Sequence, residues 1–200
     1  MNWPLRLTPI EELFFTDHRP AYPSCCFVRA RFSGCFDREK LEAVIRATIQ
    51  RHPLLTAKVE QSNSGLVWVP SENSLPSIVW QSQPDTDGFP PAVRLDLLAG
   101  SGIHFQVHQH GSESALSIQF HHAVCDGVGI FQLLHEILLG YAGGNGPPAE
   151  QDLGLNFDRW DRARRGVFAL PIAKQLAFAT RHFTNLWPVL HFARRSPTDS

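Results

Sequence analysis

The sequence predicts an α/β domain: a mixed, mostly antiparallel sheet packed with helices. Three observations predict it. Ile103, Phe105 and Val107 alternate with His104, Gln106 and His108, and Leu116, Ile118 and Phe120 alternate with Ser117, Gln119 and His121, the period of half-buried strands. The stretch His110 to Ser114 between them reads as a hairpin turn. Three segments carry apolar residues at helical spacing instead, and the strands come in runs rather than in strict alternation with helices.

Taken in order, Leu7 to Phe15 is a short opening segment, broken by Pro20 and Pro23. Cys25 to Phe36 alternates well enough for a strand. Asp37 then makes an N-cap, with Phe36 and Leu41 placed as a hydrophobic staple. Leu41, Val44, Ile45, Thr48 and Ile49 form one helical face that Pro53 ends. Short strands follow at Ala57 to Glu60, Leu66 to Val69 and Ser77 to Gln81, the first two separated by the turn residues Asn63-Ser64-Gly65. Asp85 to Pro91 reads as a loop, and Val93, Leu95 and Leu97 alternate with Arg94 and Asp96.

The second helical segment holds Val128, Ile130, Phe131, Leu133, Leu134, Ile137 and Leu138. Only Gln132, His135 and Glu136 make a narrow polar stripe, so burial on most of its circumference is expected. Gly140, Gly143 and Gly144 are expected to stop it, and Pro147-Pro148 begins a polar linker. From Pro171, Ile172, Leu176, Ala179, Phe183, Leu186 and Leu190 recur at alternating steps of four and three. Arg164, Arg165, Lys174, Arg181, Arg194 and Arg195 make that helix unfit to span a membrane, and packing against protein is its expected fate. The expected organisation is a lobe over 1–146, then a linker and crossover helix over 147–200.

Composition narrows the function. Lys plus Arg is 18 and Asp plus Glu 19, a formal charge of −1, and nothing in that balance suggests nucleic acid. No G-x-x-x-x-G-K-[ST], G-x-G-x-x-G or G-x-S-x-G is present, so nucleotide sites of those kinds and a serine-hydrolase elbow are unsupported. Met1 to Glu12 lacks a basic segment followed by an apolar run, so no secretion signal is expected. Cys25, Cys26, Cys35 and Cys125 show no C-x-x-C spacing; four reduced thiols in a cytoplasm is the expectation.

The chemistry is concentrated in His121-His122-Ala123-Val124-Cys125-Asp126-Gly127, at a strand end and before a helix. Strand parity puts His122 on the apolar side and His121 on the polar one. A neutral imidazole there is poised to take a proton from an alcohol or amine as it attacks a thioester. Backbone N–H groups at the start of the helix would serve the resulting oxyanion. Taken alone, His122 is either such a base or a core histidine satisfied by a backbone carbonyl, and His121 is expected to position its neighbours. Asp126 is expected to cap the helix and Gly127 to ease the exit from the strand.

This H-H-x-x-x-D-G spacing in its strand–helix setting resembles the acyltransferase superfamily of chloramphenicol acetyltransferase, peptide-synthetase condensation domains, and wax-ester and alcohol acyltransferases. Phe32 to Val59, with Arg51-His52-Pro53-Leu54-Leu55, looks like the first strand–helix unit of the same superfamily, although condensation domains usually carry an arginine where Leu55 stands. Leu7-Thr8-Pro9 with Phe14-Phe15 leans toward the wax-ester or alcohol acyltransferase branch. The resemblance implies a chloramphenicol acetyltransferase-like lobe and direct acyl transfer from an acyl-CoA or acyl carrier protein thioester, with no tightly bound cofactor. It implies that His122 is the general base and Asp126 mainly structural.

The resemblance covers about the first half of a family member. Its two-lobed members carry a second-lobe D-F-G-W-G motif in many branches, which this sequence lacks. The expectation is therefore a partial enzyme, with a missing second lobe or self-association; the alternative is a non-catalytic lobe that binds an acyl carrier or partner protein. A competing idea is a zinc site built from His104, His108 and His121, with His110 near the turn. No Cys or carboxylate at ligand spacing supports it, and histidines on a solvated strand face are the plainer expectation, so no metal is assigned.

Overall fold

The structure is a computed structural model that describes residues 3–143 apart from 20, 64, 73–74, 84–87 and 101. The linker and helical pattern expected after Pro147 lie outside the described residues, as do Gly144 and part of the expected Asp85–Pro91 loop. The elements in order are β1 (Leu5–Arg6), α1 (Pro9–Asp17), β2 (Cys25–Ser33), α2 (Arg38–Gln50), a 3-10 turn (Pro53–Thr56), β3 (Lys58–Ser62), β4 (Gly65–Val69), β5 (Ser77–Gln81), β6 (Ile103–His110), β7 (Glu113–His121) and α3 (Gly127–Tyr141).

Among the described residues two sheets form, one ordered β1-β4-β3 and the other β2-β7-β6-β5. In the larger, β7 pairs antiparallel with both β2 and β6, whereas β5 runs parallel to β6. The mixed, mostly antiparallel α/β architecture is thus as expected. Each helix start is set by its cap: the Asp37 side chain accepts from the Lys40 N–H at 3.0 Å, satisfying one of the orphan donors of the first turn.

The register sorts the larger sheet into two faces. Leu116, Ile118 and Phe120 lie beside Val107, Phe105 and Ile103 on β6 and Ala30, Val28 and Cys26 on β2. This face joins Leu41, Ile45 and Ile49 of α2 and Ile130, Leu133 and Ile137 of α3 in one core. The two helices approach closely: a Cβ on Gly140 would lie 2.9 Å from Val44 Cγ1. Gly140 is therefore a packing glycine inside α3 rather than its stop. The chain turns instead at Gly143, whose φ of 80° suits glycine.

The opposite face corrects an expectation. It carries His104, Gln106, His108, Ser117, Gln119 and His121, all buried, so it is not a solvated histidine face. The segment 88–97 crosses it as a strap. The Val93 N–H donates to Gln119 Oε1 at 2.9 Å, and Gln119 Nε2 donates to the Val93 carbonyl at 2.8 Å. Arg29 donates to the Gly88 carbonyl, and Phe89 packs tilted on Phe27 at 5.5 Å. The Val93–Leu97 alternation is thus not a strand of the sheet.

Two further readings change. Glu136, expected on the polar stripe of α3, is buried and meets His52 Nε2 at 2.8 Å and Arg51 at 3.5 Å. The carboxylate ties the end of α2 to α3. Val128 and Phe131, expected to be covered, are 78% and 62% exposed. The helix buries Ile130, Leu133, Leu134 and Ile137, a stripe of i, i+3, i+4 and i+7, and this turns positions 128 and 131 outward.

Candidate active site

Three elements converge on the motif. β7 delivers His121 at its last residue, α3 begins at Gly127, and α1 approaches from the N-terminal side. Helix α1 replaces the opening segment expected from the sequence. A capping box makes it: Glu11 N donates to the Thr8 hydroxyl at 3.4 Å, and Thr8 N donates to the Glu11 carboxylate at 2.7 Å, with Pro at the first turn. The Thr8-Pro9-x-Glu11 pattern is the signal that the sequence reading passed over. It matters because α1 presents Phe14 to the motif and is followed by His18.

His121 is held from several sides. Its N–H donates to the Gly102 carbonyl at 2.8 Å, and its Nδ1 accepts from the Ala123 N–H at 3.1 Å. The His18 ring lies 4.7 Å away, and His18 Nδ1 accepts from the Ser24 N–H at 3.2 Å. Accepting a backbone N–H at Nδ1 fixes each ring as the Nε2–H tautomer while neutral, with its lone pair already used. Burial holds His121 down at about 4, with His18 and His122 pushing the same way.

His122 is different. Its backbone N–H donates to the Ser24 carbonyl at 2.8 Å. Its ring stacks on Phe14, centroids 4.2 Å apart and planes 10° from parallel, with Phe120 edge-on at 6.4 Å. The buried Nδ1 has no hydrogen-bond partner among the described residues. Of the clustered imidazoles His18, His121 and His122, it is the one whose ring nitrogens the described fold does not use.

Asp126 is exposed and caps α3, its carboxylate accepting from the Gly129 N–H at 2.7 Å. Gly127 has neither a left-handed φ nor any atom within 4 Å of an added Cβ, so easing the exit from the strand is not what it does. The crowded glycine is Gly129, where a Cβ would stand 3.0 Å from Cys125 Sγ and 3.3 Å from Asp126 Oδ1. Asp126→Ala is therefore expected to lose about 0.5–2 kcal/mol in chemical denaturation, whereas Gly127→Ala should not lower stability, gaining about 0.5–1 kcal/mol at most.

Gly102 is a second residue that sequence reasoning missed. Its N–H donates to Leu55 O at 3.2 Å while its carbonyl receives His121. A Cβ there would meet Val124 Cγ1 at 2.7 Å and Leu97 Cδ2 at 2.9 Å. Only the close approach of strand and turn shows this, and no local sequence pattern carries it.

His104 and His108 stand four residues apart on one strand, roughly 13 Å, and no group of three His, Cys, Asp or Glu able to hold a metal occurs among the described residues. Burial lowers both imidazoles, Arg29 adding to the effect at His108. With His121, these groups are neutral when folded and take up protons when unfolded. Stability is therefore fully present above about pH 6.5 and declines as pH falls toward 4, with His121 contributing about 3 kcal/mol. Urea titrations across that window should show the decline, and His121→Asn, which keeps an acceptor for the Ala123 N–H, should flatten it.

All four cysteines are unpaired, and burial pushes the Cys125 thiol up to about 12, with Asp126 adding to the effect. That holds it as the thiol, the form that does not attack. No helix among the described residues is long and apolar enough to cross a membrane.

No protein-family model matches the chain. Uncharacterised proteins from two strains of Mycobacterium tuberculosis are each 30% identical over 170 residues, which cover 78% of this chain and 38% of each relative. The chain thus spans about two fifths of the length of these curated relatives. Among solved structures it is similar to the starter condensation domain of rhizomide synthetase, with TM-score 0.60, 14% identity, and coverage of 73% of this chain and 40% of that one. It is also similar to a structure concerned with condensation-domain-mediated chain release from the enacyloxin polyketide synthase, with TM-score 0.59, 20% identity, and coverage of 90% and 38%. The first condensation domain of the CDA synthetase gives TM-score 0.57 at 16% identity, covering 75% and 44%. The chain has the α/β fold of condensation domains, over part of their length.

Proposed function

We propose that this chain is the N-terminal lobe of an acyltransferase that moves an acyl group from a CoA or carrier-protein thioester to an alcohol or amine. The carrying observation is His122: an imidazole at a strand end, stacked on Phe14, with its Nδ1 making no hydrogen bond among the described residues. The condensation-domain fold supports the same reading.

In this mechanism His122 Nε2 takes the proton of the acceptor as its oxygen or nitrogen attacks the thioester carbonyl. A carbon–oxygen or carbon–nitrogen bond forms, and negative charge gathers on the carbonyl oxygen. The N–H groups of Gly127 and Val128 open α3 ahead of those engaged by Asp126, on Gly129 and Ile130, and are the donors we assign to that charge. Collapse breaks the carbon–sulfur bond, and the imidazolium returns its proton to the leaving thiolate. Asp126 holds the turn rather than touching the reacting atoms. We place the reaction in a cytoplasm, a reading supported by the four unpaired thiols, with a second lobe or a second copy supplying the other wall of the site.

The test is acyl transfer by the full-length protein from a panel of acyl-CoAs and acyl carrier proteins to simple alcohols and amines, read as acceptor-dependent thiol release. Transfer supports the reading. A folded full-length protein that binds an acyl carrier and never releases thiol would overturn it in favour of a non-catalytic binding lobe.

A further inference from the structure

We propose that Phe14 is a positioning residue for this site: its ring, lying flat on the His122 imidazole, fixes the plane of the base and stabilises the imidazolium formed as the proton is taken. The inference rests on His122 being the base. The two centroids are 4.2 Å apart and the planes 10° from parallel, so the imidazole faces the negative side of the aromatic quadrupole. A neutral imidazole gains little from that face, whereas a protonated one is attracted to it. The stabilisation thus grows as charge develops, which is the condition for lowering the barrier rather than merely binding the ground state.

The surroundings leave this task to Phe14. His122 Nδ1 is buried with no hydrogen-bond partner among the described residues, so no carboxylate or carbonyl within them orients the ring or answers its positive charge. The titratable groups around it are His121 on the same strand, His18 after α1, Cys25 and Cys26 on β2, and Cys125 and Asp126 in the turn. Burial keeps Cys25, Cys26 and Cys125 protonated and His121 neutral, and the Asp126 carboxylate is engaged with Gly129. The capping box of α1 therefore acts beyond that helix. It sets where the helix starts, and Phe14 follows in its second turn.

The experiment compares Phe14→Leu, with Phe14→Met as a second variant lacking the ring, and Phe14→Tyr, which restores it, in the full-length enzyme. Both ringless variants are expected to lose about 3- to 30-fold in kcat with KM little changed. The acid limb of their kcat/KM profile should move about half a unit to lower pH. Phe14→Tyr should recover most of both. Ringless variants with the wild-type rate and pH profile would overturn the proposal, as would a Phe14→Tyr enzyme as impaired as they are. Nitrogen NMR titration of the His122 ring in the same proteins separates the two ideas. A wild type without transfer defeats the acyltransfer reading, while an imidazole titration that does not respond to loss of the ring defeats the role of Phe14.

Discussion

His122→Ala in the full-length protein is expected to lower turnover by about 10²–10⁴-fold, the range general base catalysis supplies, while thioester binding changes little. The geometry explains why the loss should be separable from folding. His122 Nδ1 makes no hydrogen bond among the described residues, so its removal leaves no buried partner unsatisfied. What the fold loses is the packing of the ring against Phe14. His121→Ala should behave in the opposite way, since it strips the acceptor from the buried Ala123 N–H and costs stability first. Turnover of His122→Ala near the wild-type rate, in protein shown by circular dichroism to be folded, would refute the assignment.

Gly102→Ala is expected to be the most damaging single-methyl change near the site. The new Cβ would stand 2.7 Å and 2.9 Å from the two Cγ atoms of Val124, and Gly102 is pinned by hydrogen bonds to both Leu55 and His121, so its backbone has little room to retreat. Overpacking of this kind costs about 1–3 kcal/mol. The motif turn that carries Val124 must also shift, and a misplacement of ~1 Å can cost about 10² in rate. Adding Val124→Ala should recover part of both losses, because neighbours in contact do not add independently. Denaturation midpoints and turnover for the two single variants and the double variant would test this. Strict additivity would show that the clash is relieved elsewhere.

Most strands and the helices α2 and α3 were legible because their signal is local, whereas α1 was passed over although its Thr8–Glu11 capping box is local too. Alternation found β6 and β7, and the Asp37 cap marked the start of α2. The motif turn was legible too, because its residues are contiguous and its parity follows from the strand. What supports the site was not. Phe14 and His18 stand more than 100 positions before His122, and no periodicity links them to it. Gly102 was unreadable because its constraint is a distance between two separated segments. Glu136 was misread for a different reason: a carboxylate among helix-surface polar residues looks solvated until the partner that buries it, His52, is placed opposite. The strap had the alternation of a strand, but Gln119 meets it with a side-chain amide, a pairing that hydrophobic pattern cannot register.

That strap also decides how this side of the molecule breathes. Most sheets keep a covering layer by greasy contact, so that lifting the layer bares apolar surface and costs accordingly. Beneath the stretch from Gly88 to Arg94 lie amide, hydroxyl and imidazole groups that water can serve in its place, with Phe27 under Phe89 as the aromatic exception. Excursions of this stretch are therefore expected to cost less than lifting a wholly apolar layer, the Phe27–Phe89 contact being the part that carries a hydrophobic penalty. The buried Leu95 and Leu97 anchor the far end of the strap, where the Leu97 carbonyl also accepts from the Val59 N–H, so any such excursion is expected to end there.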